Sequence, residues 1–250
     1  MAAAVKFRIK GTGVYVEPVR RGASSSYDTT GSGRRSLAWR APAFGPNAAL
    51  DYAAPQLRNQ SRELVRKNTW AAAAVERIVS NAVGTGITPL LKDKAVRKLW
   101  RRWVDEADAD GLLDHYGQQA LVMRGVVEGG EVFVRLRSRR PDDGLAVPLQ
   151  VQVLEAEFVP MEKNELLAGG GYIRQGIEFD AIGRRVAYWM YRQHPADQGP
   201  RVDDGMPVRV PSSEVLHVFL PTRPGQIRGE PWLNRALAKM KDLDAYDDAE

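Results

Sequence analysis

The feature that most constrains this chain is a change of hydrophobic period at Gly129-Gly130. Before it, apolar residues recur at i, i+3, i+4 and i+7, the spacing of one helix face. After it they alternate, which places them on one side of a strand. Upstream, Ala71, Ala74, Val75, Ile78 and Ala82 form one helical row, with Asn68 placed to cap its start and Gly84 to end it. A weaker helical signal covers Gln56 to Arg66. A second clear helix runs from Asp93 to Ala107, with Val96, Leu99, Trp100, Trp103 and Val104 in one stripe. Asp114 caps another through Tyr116, Ala120, Leu121, Met123 and Val127, which Gly129-Gly130 halts.

Downstream, Val132, Val134 and Leu136 alternate with Glu131, Phe133 and Arg135 as in a half-buried strand, and Leu149, Val151 and Val153 repeat the pattern. Ile173, Ile177 and Phe179 lead into a turn at Asp180 to Gly183, and Val186 to Tyr191 returns. Residues 193–213 read as a long polar loop with four prolines, before a last strand from Val215 to Leu220. Pro231 suits a first helical turn, followed at helical spacing by Trp232, Leu233, Ala236, Leu237 and Met240. No stop signal follows before Glu250, so the reading is of a chain that ends inside a helix. The class is α+β: helices, then a mostly antiparallel sheet, then a helix. Residues 1–55 read as a flexible basic arm, 56–230 as the α+β domain, and 231–250 as the start of a long helix.

Composition narrows function chiefly by exclusion. Hydrophobic residues at 44% suffice for a core without metal or disulfide staples. The absence of cysteine removes thiolate nucleophiles, disulfides and Cys-ligated zinc. No apolar run approaches the length of a membrane span. The net charge of +5 is weak evidence for nucleic acid, but its distribution is uneven. Residues 1–40 hold eight Lys/Arg against two acids, and residues 241–250 hold one Lys against five acids.

A search for chemistry finds little. Gly11-Thr12-Gly13 and Gly31-Ser32-Gly33 lack the strand, helix and lysine of a phosphate loop. Glu106 to Gly111 imitates the start of an EF-hand, but Gly117 stands where the bidentate glutamate belongs. His115, His194 and His217 share no metal-ligand spacing, and His217, beside Val215 and Phe219, reads as a structural, hydrogen-bonded histidine. Trp70, Trp100, Trp103, Trp189 and Trp232 read as packing residues. The helix face Lys94, Arg97, Lys98, Arg101 and Arg102 can bind phosphates. It reads better as a solvated face held by i, i+4 pairs of Arg101 with Asp105 and Arg102 with Glu106. The chain reads as no enzyme, with no cofactor.

Several stretches occur together in a distinctive order: Arg66 to Trp70, Ile78 to Ile87, Glu128 to Val134, Gly176 to Asp180 with Gly183-Arg184, and Val215 to Phe219. The most telling is Arg223-Pro224-Gly225-Gln226-Ile227-Arg228-Gly229-Glu230-Pro231-Trp232-Leu233, followed by Asp242 to Tyr246. With Arg34-Arg35, Trp39 and Pro46-Asn47-Ala48, the chain resembles the lambda-type family of phage portal proteins over residues 34–250. The resemblance implies a ring, usually dodecameric, at one capsid vertex of the virion, assembled in the host cytoplasm. It implies double-stranded DNA passing through the ring during packaging and ejection. The implied partners are terminase, the major capsid protein and head–tail connector proteins. It also implies a wing-like domain here, leading by its last helix toward a stem. Asp242, Asp244, Asp247 and Asp248 then face a basic neighbour such as Arg97, Arg101 or Arg102, or else line a tunnel. The alternative class is a basic, non-enzymatic nucleic-acid-binding module.

Overall fold

A computed structural model describes residues 7–8, 15–16, 43–197, 200 and 205–247, without the side chains of Phe7, Arg8, Tyr15, Val16, Ala245 and Asp247. The chain divides into two compact units, Met1–Phe44 and Gly45–Glu250. In the first, β1 (Phe7–Arg8) pairs antiparallel with β2 (Tyr15–Val16). The glycine pairs at 11 and 13 and at 31 and 33 lie outside the described residues.

The second unit opens with four helices: α1 (Pro46–Lys67), α2 (Thr69–Val83), α3 (Lys94–Glu106) and α4 (His115–Gly129). Side-chain caps fix the starts of α2, α3 and α4. Asn68 accepts from Ala71 N, Asp93 from Ala95 N and Val96 N, and Asp114 from Gly117 N. Gly130 ends α4 in the left-handed region at φ 88°. The first helix departs from the sequence reading. It begins at Pro46, so residues 46–55, read as arm, are its first turns. Pro46 at the helix start costs no hydrogen bond, and the later Pro55 interrupts the periodicity that would have revealed it.

The strands form two antiparallel sheets. In the first, β3 (Glu131–Ser138) lies between β4 (Leu149–Glu155) and β10 (Val215–Phe219). The second is a meander of β5 (Glu165–Leu166), β6 (Tyr172–Arg174), β7 (Ile177–Phe179), β8 (Arg185–Met190) and β9 (Val208–Pro211). Two sequence readings are corrected here. Ile173 to Phe179 is two strands, divided by a turn at Gln175-Gly176 in which both residues have positive φ, 51° and 77°. That is the geometry a two-residue hairpin loop demands. The polar stretch 193–213 contains β9, whose alternation is concealed by Pro207 before it and Pro211 at its end.

The three-stranded sheet is the middle layer. One face carries Val132, Val134 and Val151 against Trp103 and Val126 of the helices. The other carries Phe133 and Val215 against Ile177, Tyr188, Met190 and Val210 of the five-stranded sheet. Residues 131–134 are therefore buried on both faces, and the half-buried strand of the sequence reading is corrected. A third core joins Val75 and Val79 of α2 to Val127 and Leu233, and a fourth joins Leu50 and Ala54 of α1 to Met161. Trp70 lies outside these cores and is 67% exposed, against its reading as a packing residue. After β10 the chain passes through the Arg223–Leu233 loop and a 3-10 turn at Trp232–Arg235 into α5 (Leu237–Asp247).

Candidate functional site

The chemistry-bearing side chains converge on the start of β3. Glu131 is 1% exposed, because the face it shares with Phe133 looks onto the second sheet. Its Oε1 accepts from Arg58 of α1 and from Nε of Arg228, each at 2.8 Å. Its Oε2 accepts from Gly229 N at 2.8 Å and lies 2.9 Å from His217 Nε2. Burial alone would raise this carboxyl, but the charge of Arg228, the His217 hydrogen bond and the charge of Arg58 hold it well below the usual range. Glu131 is thus an anion at all physiological pH.

His217 sits directly across from Phe133 in register and stacks on its ring at 4.3 Å between centroids. Burial lowers its pKa despite the neighbouring carboxylate, so the ring is neutral. With Glu131 ionised, Nε2 carries the hydrogen and donates, leaving Nδ1 to accept from Arg185 at 3.1 Å. The ring is a relay of packing and orientation between the two sheets. This agrees with the structural role read from the sequence.

Arg228 is fully buried and makes the signature loop part of the core. Besides Glu131, its guanidinium donates to the carbonyls of Val159 (3.2 Å), Ala156 (3.0 Å) and Gln175 (2.7 Å). The left-handed backbone of Gln175 aims that last carbonyl inward. Gln226 closes the loop on itself: its Oε1 accepts from Thr222 N and Arg223 N, and its Nε2 donates to Arg228 O. Asn47 of α1 clamps the loop from outside, donating to Gly225 O at 2.8 Å and accepting from Ile227 N at 2.9 Å. Gln175 donates to Asn47 O and to Asp51, tying the second sheet to the same helix.

Glycine is required where loop and strand touch. A Cβ on Gly229 would fall 2.1 Å from Gly130 O, and one on Gly130 would fall 2.3 Å from Glu230 C. The run Arg223, Pro224, Gly225, Gln226, Arg228, Gly229, Pro231 and Trp232 is therefore a locked joint with more internal ties than a hinge tolerates. Leu233 anchors its end in the third core, whereas Trp232 remains 38% exposed. Pro231 precedes the 3-10 turn with extended backbone (ψ 136°) instead of opening an α-helix.

Other sequence-nominated residues lie apart from this cluster. Asp108 of the EF-hand-like run accepts from Asp110 N, Leu112 N, Leu113 N and Gln118, so its oxygens form a capped turn. His194 approaches Glu155 (3.3 Å) near Glu157, a convergence that sequence spacing gave no sign of. Arg62 already neutralises both carboxylates, with two bonds to Glu157 at 2.9 and 3.0 Å and one contact to Glu155 at 3.3 Å. A divalent ion there would have to displace a guanidinium.

Arg97, Lys98, Arg101 and Arg102 are exposed on α3. Among the described residues, neither of the expected pairs forms. Glu106 instead accepts from Ala146 N at 2.7 Å, and Arg97 folds back onto the carbonyls of Leu91 and Lys92. On α5, Asp242 is exposed and Asp244 accepts from Asn68 at 2.9 Å. The side chain of Asp247 and all of Asp248 lie outside the described residues. Among the described residues, no ion pair joins Asp242 or Asp244 to these cations.

What this architecture defines is a layered α+β scaffold whose buried charges hold elements in place. A model of the lambda family of phage portal proteins matches residues 32–250, and the chain belongs to that family. It is also 27% identical over 210 residues to a probable portal protein of Halomonas phage phiHAP-1. That alignment covers 78% of this chain and 40% of the relative, so the chain spans less than half of the relative's length. No helix among the described residues is long and apolar enough to cross a membrane.

Proposed function

We propose that this chain is the wing-like part of a portal subunit, one of a ring at a single capsid vertex through which phage DNA enters and leaves. Terminase, the major capsid protein and the head–tail connector are its protein partners, and α5 leads toward the stem. The observation that carries this reading is the family match over residues 32–250. The locked joint fits it: a subunit that bears load around moving DNA gains from a loop fixed by Glu131, Arg58 and Arg228 between sheet and outgoing helix. We read the molecule as structural, with its buried charged groups committed to architecture.

Negative-stain microscopy of the full-length protein tests the proposal. Closed rings with a central opening are the expected result. A uniform monomer or dimer whose DNA affinity falls steeply with salt would instead support the nucleic-acid-binding module, which the exposed cations of α3 otherwise favour.

A further inference from the structure

We infer that α3 is the docking face for a second copy of this chain, and that the neighbour's α5 is what it receives. The inference rests on the ring proposed above and names the contact that builds it. α3 is only half used by its own fold. Trp103 and Val104 are buried, and Trp103 Nε1 donates to Leu149 O at 2.8 Å. Val96 and Leu99 on the adjoining edge are 49% and 42% exposed. With Leu91 and Trp100 they line an apolar recess of about 250 Å³. By helical spacing Lys98 and Arg102 border Leu99, and neither forms an ion pair among the described residues. An exposed apolar edge flanked by uncommitted cations calls for an apolar segment bordered by acids.

The same chain carries such a segment. On α5, Leu243 is 48% and Tyr246 60% exposed, one turn apart, and Asp242 beside them is exposed. The sequence continues with acids at Asp247, Asp248 and Glu250. Asp244 is exposed as well, but it already accepts from its own Asn68. α3 packs on α4 and, through Trp103, on β4, whereas α5 packs on α1. The two half-surfaces thus belong to different parts of the unit. A contact between different faces is heterologous, repeats head to tail, and closes into a ring when its rotation allows.

The absence of native cysteine makes the test direct. Leu99→Cys and Leu243→Cys are prepared separately in the protein and treated with a short bismaleimide, alone and mixed. The expected result is a cross-linked dimer in the mixture and little in either variant alone. Lys98→Glu with Arg102→Glu should lower the yield about tenfold, and Asp242→Lys in the neighbour should recover part of it. Efficient cross-linking of Leu99→Cys with itself would overturn the inference. So would a yield indifferent to the charge reversals, or reversals that instead abolish DNA retention. Rings seen by microscopy without the mixed cross-link would overturn this contact and leave the ring reading intact. Absence of both rings and cross-link would overturn the two together.

Discussion

At the scale of single residues, the burial of Glu131 decides the energetics. Its carboxylate is the shared counter-charge of two guanidiniums that are 2% and 0% exposed. Glu131→Gln keeps the size but leaves Arg58 and Arg228 short of a buried anion, a loss of about 3–5 kcal/mol in unfolding free energy. Arg184→Ala breaks only an exposed pair with Asp180 and should cost less than about 1 kcal/mol. Urea unfolding of both variants measures the contrast, and equal losses would mean that the buried cluster carries no special weight. His217 sets a pH dependence of definite sign. Its folded pKa is depressed by burial, so below the unfolded value of about 6.5 the unfolded chain binds a proton that the folded chain refuses. Stability should therefore fall as pH drops from about 6.5 toward the lower folded value, and His115, also depressed by burial, adds to the slope. His217→Gln, which keeps a donor for Glu131, should flatten the fall between pH 7 and pH 5. An unchanged slope would assign it to other groups.

At the scale of elements, the meeting of the signature loop with the α4–β3 junction is the least tolerant place in the fold. Gly229→Ala sets a methyl against the Gly130 carbonyl, so backbone must move, at a cost of about 1–3 kcal/mol or more. Gly183→Ala meets nothing within 4 Å at φ 81°, so only the left-handed conformation is charged, about 1–2 kcal/mol. Thermal unfolding that ranked Gly183 as the costlier site would contradict the close approach. How far the sequence reveals these elements depends on range. Asn68, Asp114, Gly84 and Gly130 speak through local capping and chirality, so α2 and α4 are legible with their ends. The stripe of α3 is legible too, but which half is covered is a tertiary matter, and Val96 and Leu99 stay exposed. The Arg223–Leu233 run is conspicuous as a pattern, yet its partners lie 97 residues away at Glu131 and 180 away at Asn47. Glu131 itself, alternating with Val132 in an ordinary strand pattern, gave no local sign that its face was buried.

At the scale of the whole molecule, the cores predict where the unit that folds begins. Every core cluster described, from Leu50 to Leu233, lies within Gly45–Glu250. Because β3 contributes to both faces of the middle layer, helices and meander should unfold together in one transition. A chain starting at Gly45 is therefore expected to melt once, within a few degrees of the full chain, by both far-ultraviolet and near-ultraviolet dichroism. Starting at Gln56, the boundary that periodicity alone suggests, should be far costlier. It removes the two Asn47 bonds to the signature loop and the bonds that Gln175 donates to Asn47 O and to Asp51. It also removes Leu50 from its contact with Met161. At about 1 kcal/mol per hydrogen bond and about 2 kcal/mol for a buried leucine, the sum is on the order of 6 kcal/mol. For a domain of this size that corresponds to a fall of about 10 °C or more in Tm. If both shortened chains melt alike, the first ten residues of α1 clamp nothing, and the joint between sheet and outgoing helix is held by Glu131 and its arginines alone.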